Sequence, residues 1–123
     1  MLTELEERIR QDLITFVQLG DPRHSLVRYG TLAKKHAIRF KTRAEQKNSG
    51  LFRMLDNISR YEHAHERPLL SVIVTGPKGM PGAKFFKLTK ELGRQNGESN
   101  TKFARRERAL LFGHWQKGAK LDA

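Results

Sequence analysis

Basic residues cluster in two neighbouring parts of the chain with spacings that suit contacts with nucleic acid. The polar segment 39–48 carries four of them around Phe40: Arg39, Lys41, Arg43 and Lys47. A helix over 50–64 would present Arg53, Asn57 and Arg60 on one face, since they are spaced by four and three residues. Arginine binds phosphate or guanine edges, and asparagine pairs with adenine. We predict phosphate contacts from the segment and groove contacts from the helix.

A glycine- and proline-rich loop, residues 76–82, is a second candidate site. Its glycines let the backbone approach a ligand, and the helix that follows begins with an N-terminus that favours an anion. Lys78 and Lys84 add positive charge on either side of Gly82. The Walker pattern of phosphate-binding loops is missing. We predict a wing or a phosphate-binding loop in which Lys78 and Lys84 contact the nucleic acid.

Carboxylates and histidines suggest an alternative chemistry. Glu62, His65 and Glu107 could form a small metal-dependent nuclease site, because carboxylates bind magnesium and histidine transfers protons near neutral pH. Glu107 interrupts an apolar row of a predicted helix, between Phe103 and Leu111. A carboxylate at such a position needs a partner, and an arginine or a helix N-terminus is expected. We therefore expect no catalytic residue, no metal and no cofactor, and keep the nuclease as an alternative.

The overall composition describes a small basic protein. The 123 residues include 24 Lys and Arg against 13 Asp and Glu, for a formal net charge of +11, and no cysteine. A disulfide framework, a thiolate zinc site and a thiol nucleophile are thereby excluded. A basic chain binds a polyanion favourably because each phosphate that it neutralises releases condensed counterions. Nucleic acid is therefore the expected partner. With no export signal and no apolar run long enough for a bilayer, a cytoplasmic location without membrane contact is expected.

The elements that must position these residues follow from hydrophobic periodicity. A single domain over residues 1–123 is expected, with Thr3 and Glu6 forming a capping box at the first helix. Five helices are predicted over 4–18, 29–37, 50–64, 83–92 and 100–116. The apolar run 69–75 predicts a buried strand, and its expected partners are short extended segments near 25–28 and 38–41. The predicted fold is a helix-rich α+β domain with a two- or three-stranded sheet. Most of the ten aromatic residues are assigned to its core, so no base-stacking surface is predicted.

One local sequence resembles a known DNA-binding family. The run 26–33 (LVRYGTLA), followed by a helix, a strand and a glycine-rich loop, resembles the winged helix-turn-helix domain of alkyltransferase-like DNA-binding proteins. The resemblance implies that the helix over 50–64 enters a DNA groove and that the loop acts as a wing. The Pro-Cys-His-Arg active site of that family is missing, and Arg67, Pro68 and Leu69 stand in its region. Alkyl transfer is therefore excluded.

A second resemblance concerns the sequences RPLLSVIV, GMPG and FFKL, which look like a family of small uncharacterised bacterial and phage proteins. No activity comes with this resemblance. It adds an alternative function, a phage-type inhibitor that binds a nucleic-acid-handling enzyme. The expected function is non-catalytic nucleic-acid binding, with DNA before RNA. A protein partner is also possible, and the sequence leaves the oligomeric state open.

Overall fold

The structure, a computed structural model, describes residues 1–38 and 50–116. These ranges contain five α-helices, which are α1 (Glu4–Leu19), α2 (Tyr29–Lys35), α3 (Gly50–Ala64), α4 (Ala83–Glu91) and α5 (Asn100–Gln116). Strand β1 (Val27–Arg28) pairs in parallel with β2 (Val74–Thr75). The predicted helix-rich α+β fold with a small sheet is therefore confirmed. Ala37, with a φ of 59°, follows α2, which ends two residues before the predicted boundary.

The prediction of a buried strand over 69–75 is wrong for most of that run. Leu70–Ile73 forms a 3₁₀ helix, and only Val74–Thr75 is extended. The backbone amide of Leu69 donates to the Glu107 carboxylate at 2.8 Å, and the Val72 carbonyl accepts from Arg108 Nε at 3.2 Å. Side chains of α5 thus satisfy backbone groups that a strand would satisfy by pairing. An apolar run without alternation does not distinguish these two outcomes.

The two-residue strand β1 lies within the predicted partner region 25–28. Val27 is opposite Val74, and Arg28 is opposite Thr75. The other predicted partner region, 38–41, contributes only Ile38 to the described residues, and Ile38 is not in a strand. The sheet of the described chain therefore has two strands.

Helix α1 begins with the predicted capping box. The Thr3 amide donates to Glu6 Oε1 at 2.8 Å, and the Glu6 amide donates to Thr3 Oγ1 at 3.1 Å. Gly20 follows the helix where the chain approaches Ser25 so closely that a Cβ on Gly20 would overlap the Ser25 side chain. Phe16, predicted on the apolar face, is 37% exposed.

One apolar core joins all of these elements. Helix α1 packs against α3, α5 and the 3₁₀ helix, and its residue Ile9 is fully buried. Helix α3 buries Leu51, Leu55 and Ile58, as its periodicity predicts. Among the described residues, no helix is both long and apolar enough to cross a membrane.

Candidate nucleic-acid interface

A groove of about 440 Å³ lies between α3 and α4. We call it the α3/α4 groove. Its lining includes five largely buried residues, which are Tyr29, Leu55, Ser71, Phe85 and Leu88. The remaining lining residues are Phe52, Arg53, Asp56, Arg60, Lys84, Lys87 and Glu91. The groove thus combines an apolar floor with charged groups of both signs.

Three of the residues predicted to bind nucleic acid meet in this groove. Arg53 and Arg60 come from α3 and Lys84 comes from α4, and Lys87 joins them one helical turn after Lys84. Arg53, Lys84 and Lys87 are exposed to solvent. The residues from α3 and those from α4 are far apart in the sequence, and they share a groove because α3 and α4 pack side by side.

The four cations of the groove differ in their partners. Arg60 Nε donates to Asp56 Oδ2 at 2.9 Å, and a second nitrogen of Arg60 binds the Glu91 carboxylate. The hydrogen bonds to Asp56 and then Glu91 raise the pKa of Arg60. The ammonium group of Lys84 lies 5.6 Å from the centroid of the Phe52 ring. Within the described chain, Arg53 and Lys87 form no ion pair.

Asn57, the third predicted residue of α3, does not line the groove. Its side-chain amide donates to Glu6 Oε2 at 2.8 Å and so connects α3 to the start of α1. Burial alone would raise the pKa of Glu6, but hydrogen bonds from the Thr3 backbone and from Asn57 outweigh it and lower that pKa. Asn57, which the sequence predicts to contact bases, therefore contacts Glu6 within the fold.

The Gly-Pro loop, residues 76–82, is attached to α5 by an arginine. Arg108 Nη2 donates a hydrogen bond to the Gly79 carbonyl at 3.0 Å, and Arg108 Nε donates one to the Val72 carbonyl. Burial lowers the pKa of Arg108. Gly79 adopts a φ of +74°, which a residue with a side chain adopts only at a cost. Lys78 is exposed at this fixed turn, outside the lining of the α3/α4 groove.

The linker cations Arg39, Lys41, Arg43 and Lys47 lie outside the described residues. Their predicted contacts with phosphate stay a prediction.

The two carboxylates of the nuclease alternative are both buried in ion pairs. Glu107 Oε2 accepts from Arg94 Nη2 at 2.7 Å, in addition to the Leu69 amide. The predicted arginine partner of Glu107 is therefore confirmed. Glu62, which is fully buried, binds Arg10 and Arg67.

His65, the third residue of that alternative, is exposed just beyond the C-terminal end of α3. Its Nδ1 lies 2.8 Å from the Tyr61 carbonyl oxygen. Across residues 1–38 and 50–116, no group of three or more His, Asp or Glu side chains could hold a metal ion. The geometry thus gives Glu62 and Glu107 a structural role.

A partly exposed aromatic residue that the sequence interpretation did not single out lines the groove. Phe52 is only partly buried, and its ring centroid lies 4.7 Å from that of Tyr29. A signal was available, because Phe52 lies off the apolar stripe of α3 that Leu51 and Leu55 define. The expectation that the chain has no surface for base stacking stays a prediction.

Comparison with known proteins adds no family. No protein-family model, curated protein or solved structure matches this chain. The resemblances to the winged helix-turn-helix domain and to the small bacterial and phage proteins therefore stay predictions.

Proposed function

We propose that this protein binds nucleic acid without catalysing a reaction on it, and that the α3/α4 groove supplies phosphate contacts. One observation carries the proposal. Arg53, Lys84 and Lys87 lie on one groove, and Arg53 and Lys87 have no carboxylate partner within the described residues. A phosphate at this position is attracted by Arg53 and Lys87, and its neutralisation releases counterions.

The charge balance of the whole chain supports the same proposal. A formal net charge of +11 attracts polyanions over distances comparable to the Debye length, about 10 Å at 0.1 M salt. Lys78 on the Gly-Pro loop and the linker cations Arg39, Lys41, Arg43 and Lys47 are proposed as further phosphate contacts. The preference for DNA over RNA comes from the resemblance to winged helix-turn-helix proteins.

The ion pairs of Glu62 and Glu107 favour binding over the nuclease alternative. A carboxylate that neutralises arginines has less charge to offer a magnesium ion, and breaking such a buried pair costs about 3–5 kcal/mol. Glu62 binds two arginines and Glu107 binds one. Both carboxylates therefore act in stabilising the fold.

Binding to labelled DNA and RNA, with and without magnesium, tests the proposal. We expect both nucleic acids to be retained without cleavage, DNA more tightly. The double variant Arg53→Gln, Lys87→Gln should weaken binding about equally for all sequences. It should also reduce the slope of log affinity against log salt by about 1.5, since each lost contact with phosphate contributes about 0.7–0.9.

A matched control removes the same charge elsewhere. The double variant Arg8→Gln, Arg23→Gln also lowers the net charge by two, but neither residue lines the α3/α4 groove. It should leave the salt slope nearly unchanged. Equal effects of the two double variants would contradict a localised site. Cleavage in magnesium that Glu107→Gln abolishes would replace the proposal with the nuclease alternative.

A further inference from the structure

The size and the floor of the α3/α4 groove restrict what can enter it. Its volume of about 440 Å³ lies in the range of about 300–1,000 Å³ found for small organic ligands. A base that is stacked and paired inside a duplex cannot reach such a floor. A single unpaired base has the size and the flat apolar faces that the groove requires.

Phe52 provides the surface on which a base could stack. It is the partly exposed aromatic residue of the groove, whereas Tyr29 and Phe85 are each 7% exposed. The Phe52 ring contacts Tyr29, and the Lys84 ammonium group lies over the ring, 5.6 Å from its centroid, so the flexible Lys84 side chain has to move aside for a base. Stacking on an aromatic ring, with a cation beside it, is how many proteins hold single-stranded nucleic acid.

Polar atoms at the floor could bind the edge of a base. The Tyr29 hydroxyl accepts a hydrogen bond from the Gly82 amide at 2.9 Å, which leaves its own proton available to a ligand. Burial raises the pKa of Tyr29, so this hydroxyl stays protonated at neutral pH. Ser71, which is 5% exposed, shares a hydrogen bond with Ser59 and adds a second hydroxyl group.

The charges around the groove are arranged for a phosphate next to that base. Asp56 and Glu91 would repel a phosphate, and Arg60, which binds both carboxylates, offsets one of their two negative charges. Arg53 and Lys87 contribute positive charge without an ion-pair partner in the described chain. The same groove therefore offers an apolar surface and a net positive rim.

We propose that the α3/α4 groove binds one unpaired nucleotide of a single strand, with its base against Phe52 and its phosphate on Arg53 and Lys87. The inference rests on the proposed function and specifies the form of nucleic acid that this site accepts. Binding of single strands should therefore exceed binding of a duplex of the same sequence.

Fluorescence anisotropy with a labelled thymidine-rich DNA strand, its RNA counterpart and the blunt DNA duplex tests the inference. Phe52→Leu keeps an apolar side chain but removes the ring. We expect it to weaken single-strand binding about tenfold, within the range measured for loss of one stacked base, and to leave duplex binding unchanged. Phe52→Trp should restore or strengthen single-strand binding, which separates stacking from a loss of fold.

Phe16→Leu is the matched control, because Phe16 is an exposed phenylalanine of α1 outside the groove. It should bind like the wild type. If Phe52→Leu has no effect while Arg53→Gln with Lys87→Gln weakens both DNA forms, the nucleotide site is overturned and the proposed function stands. If neither single strands nor duplex bind, the proposed function fails as well.

Discussion

Glu107 shows how a single buried carboxylate stabilises the region where α5 meets the 3₁₀ helix. Its side chain is 1% exposed, and it accepts hydrogen bonds from Arg94 and from the Leu69 amide. Because α5 is apolar on either side of it, at Phe103 and Leu111, an uncompensated charge here would be costly. The Glu107 carboxylate and the Arg94 guanidinium therefore each offset part of the desolvation free energy of burying the other.

The variant Glu107→Gln should lower the free energy of unfolding by about 3 kcal/mol, at the low end for a broken buried ion pair, because the Arg94 side chain is 21% exposed. The substituted amide would keep one acceptor oxygen but leave the largely buried Arg94 guanidinium without its counter-charge. Urea unfolding measures the loss. Glu98→Gln is the control, because Glu98 pairs with Arg106, whose side chain is 49% exposed, so the loss should stay below about 1 kcal/mol. Equal losses in the two variants would contradict the buried ion pair.

At the scale of elements, α1 and α3 are joined by polar contacts as well as by their apolar faces. Glu6 belongs to the capping box of α1 and accepts a hydrogen bond from Asn57 on α3. Further along the same pair of helices, Arg10 Nε donates to Glu62 at 3.2 Å. These contacts fix how α3 is rotated, and so which of its residues face the α3/α4 groove.

The contribution of Glu6 should depend on pH. Its pKa is lower in the folded chain than the ordinary value of 4.5, so the stabilisation is fully present above about pH 4.5 and is lost as pH falls through the folded-state pKa. Urea unfolding of the wild type and Glu6→Gln should differ by about 1 kcal/mol at pH 7, and the difference should shrink as the pH falls below about 4.5. Glu4→Gln removes a charge from the same first turn without contacting α3, and should cost less. A difference for Glu6→Gln that stays constant with pH would contradict this account.

At the scale of the whole molecule, the helices share one apolar core. Ile9 of α1, Ile58 of α3, Phe86 of α4 and Trp115 of α5 belong to the same cluster of buried side chains. No element of the described chain can lose its packing without exposing residues of its neighbours. Such a core favours a single cooperative unfolding transition.

Two probes can measure that cooperativity. Trp115 is the one tryptophan of the sequence, and it is 4% exposed, so its fluorescence reports on packing around α5. Far-ultraviolet circular dichroism reports on all helices. Both should give the same urea midpoint, and Ile58→Val should lower both together, by about 0.5–1.5 kcal/mol in the free energy of unfolding. Two separate midpoints would contradict a single domain.

The sequence by itself determined the helices and several of their local contacts. The bounds of α3 and α5, those of α1 to within one residue, the capping box at Thr3 and the need of Glu107 for a partner follow from spacings of three and four residues and from capping residues. Such spacings depend on neighbours in the same helix, so they can be read without the rest of the chain. The sequence also indicated Arg53, Arg60 and Lys84 as basic residues, though not that they share a groove.

Only the tertiary structure decided which distant groups meet. Glu62 binds Arg10 across 52 residues, and Asn57 turns toward Glu6 and away from the groove. The run 69–75 became mostly a 3₁₀ helix because α5 side chains satisfy its backbone, and Phe52 stayed at the surface because α4 leaves a groove beside it. These outcomes depend on how the helices pack against one another, and no local spacing encodes that packing.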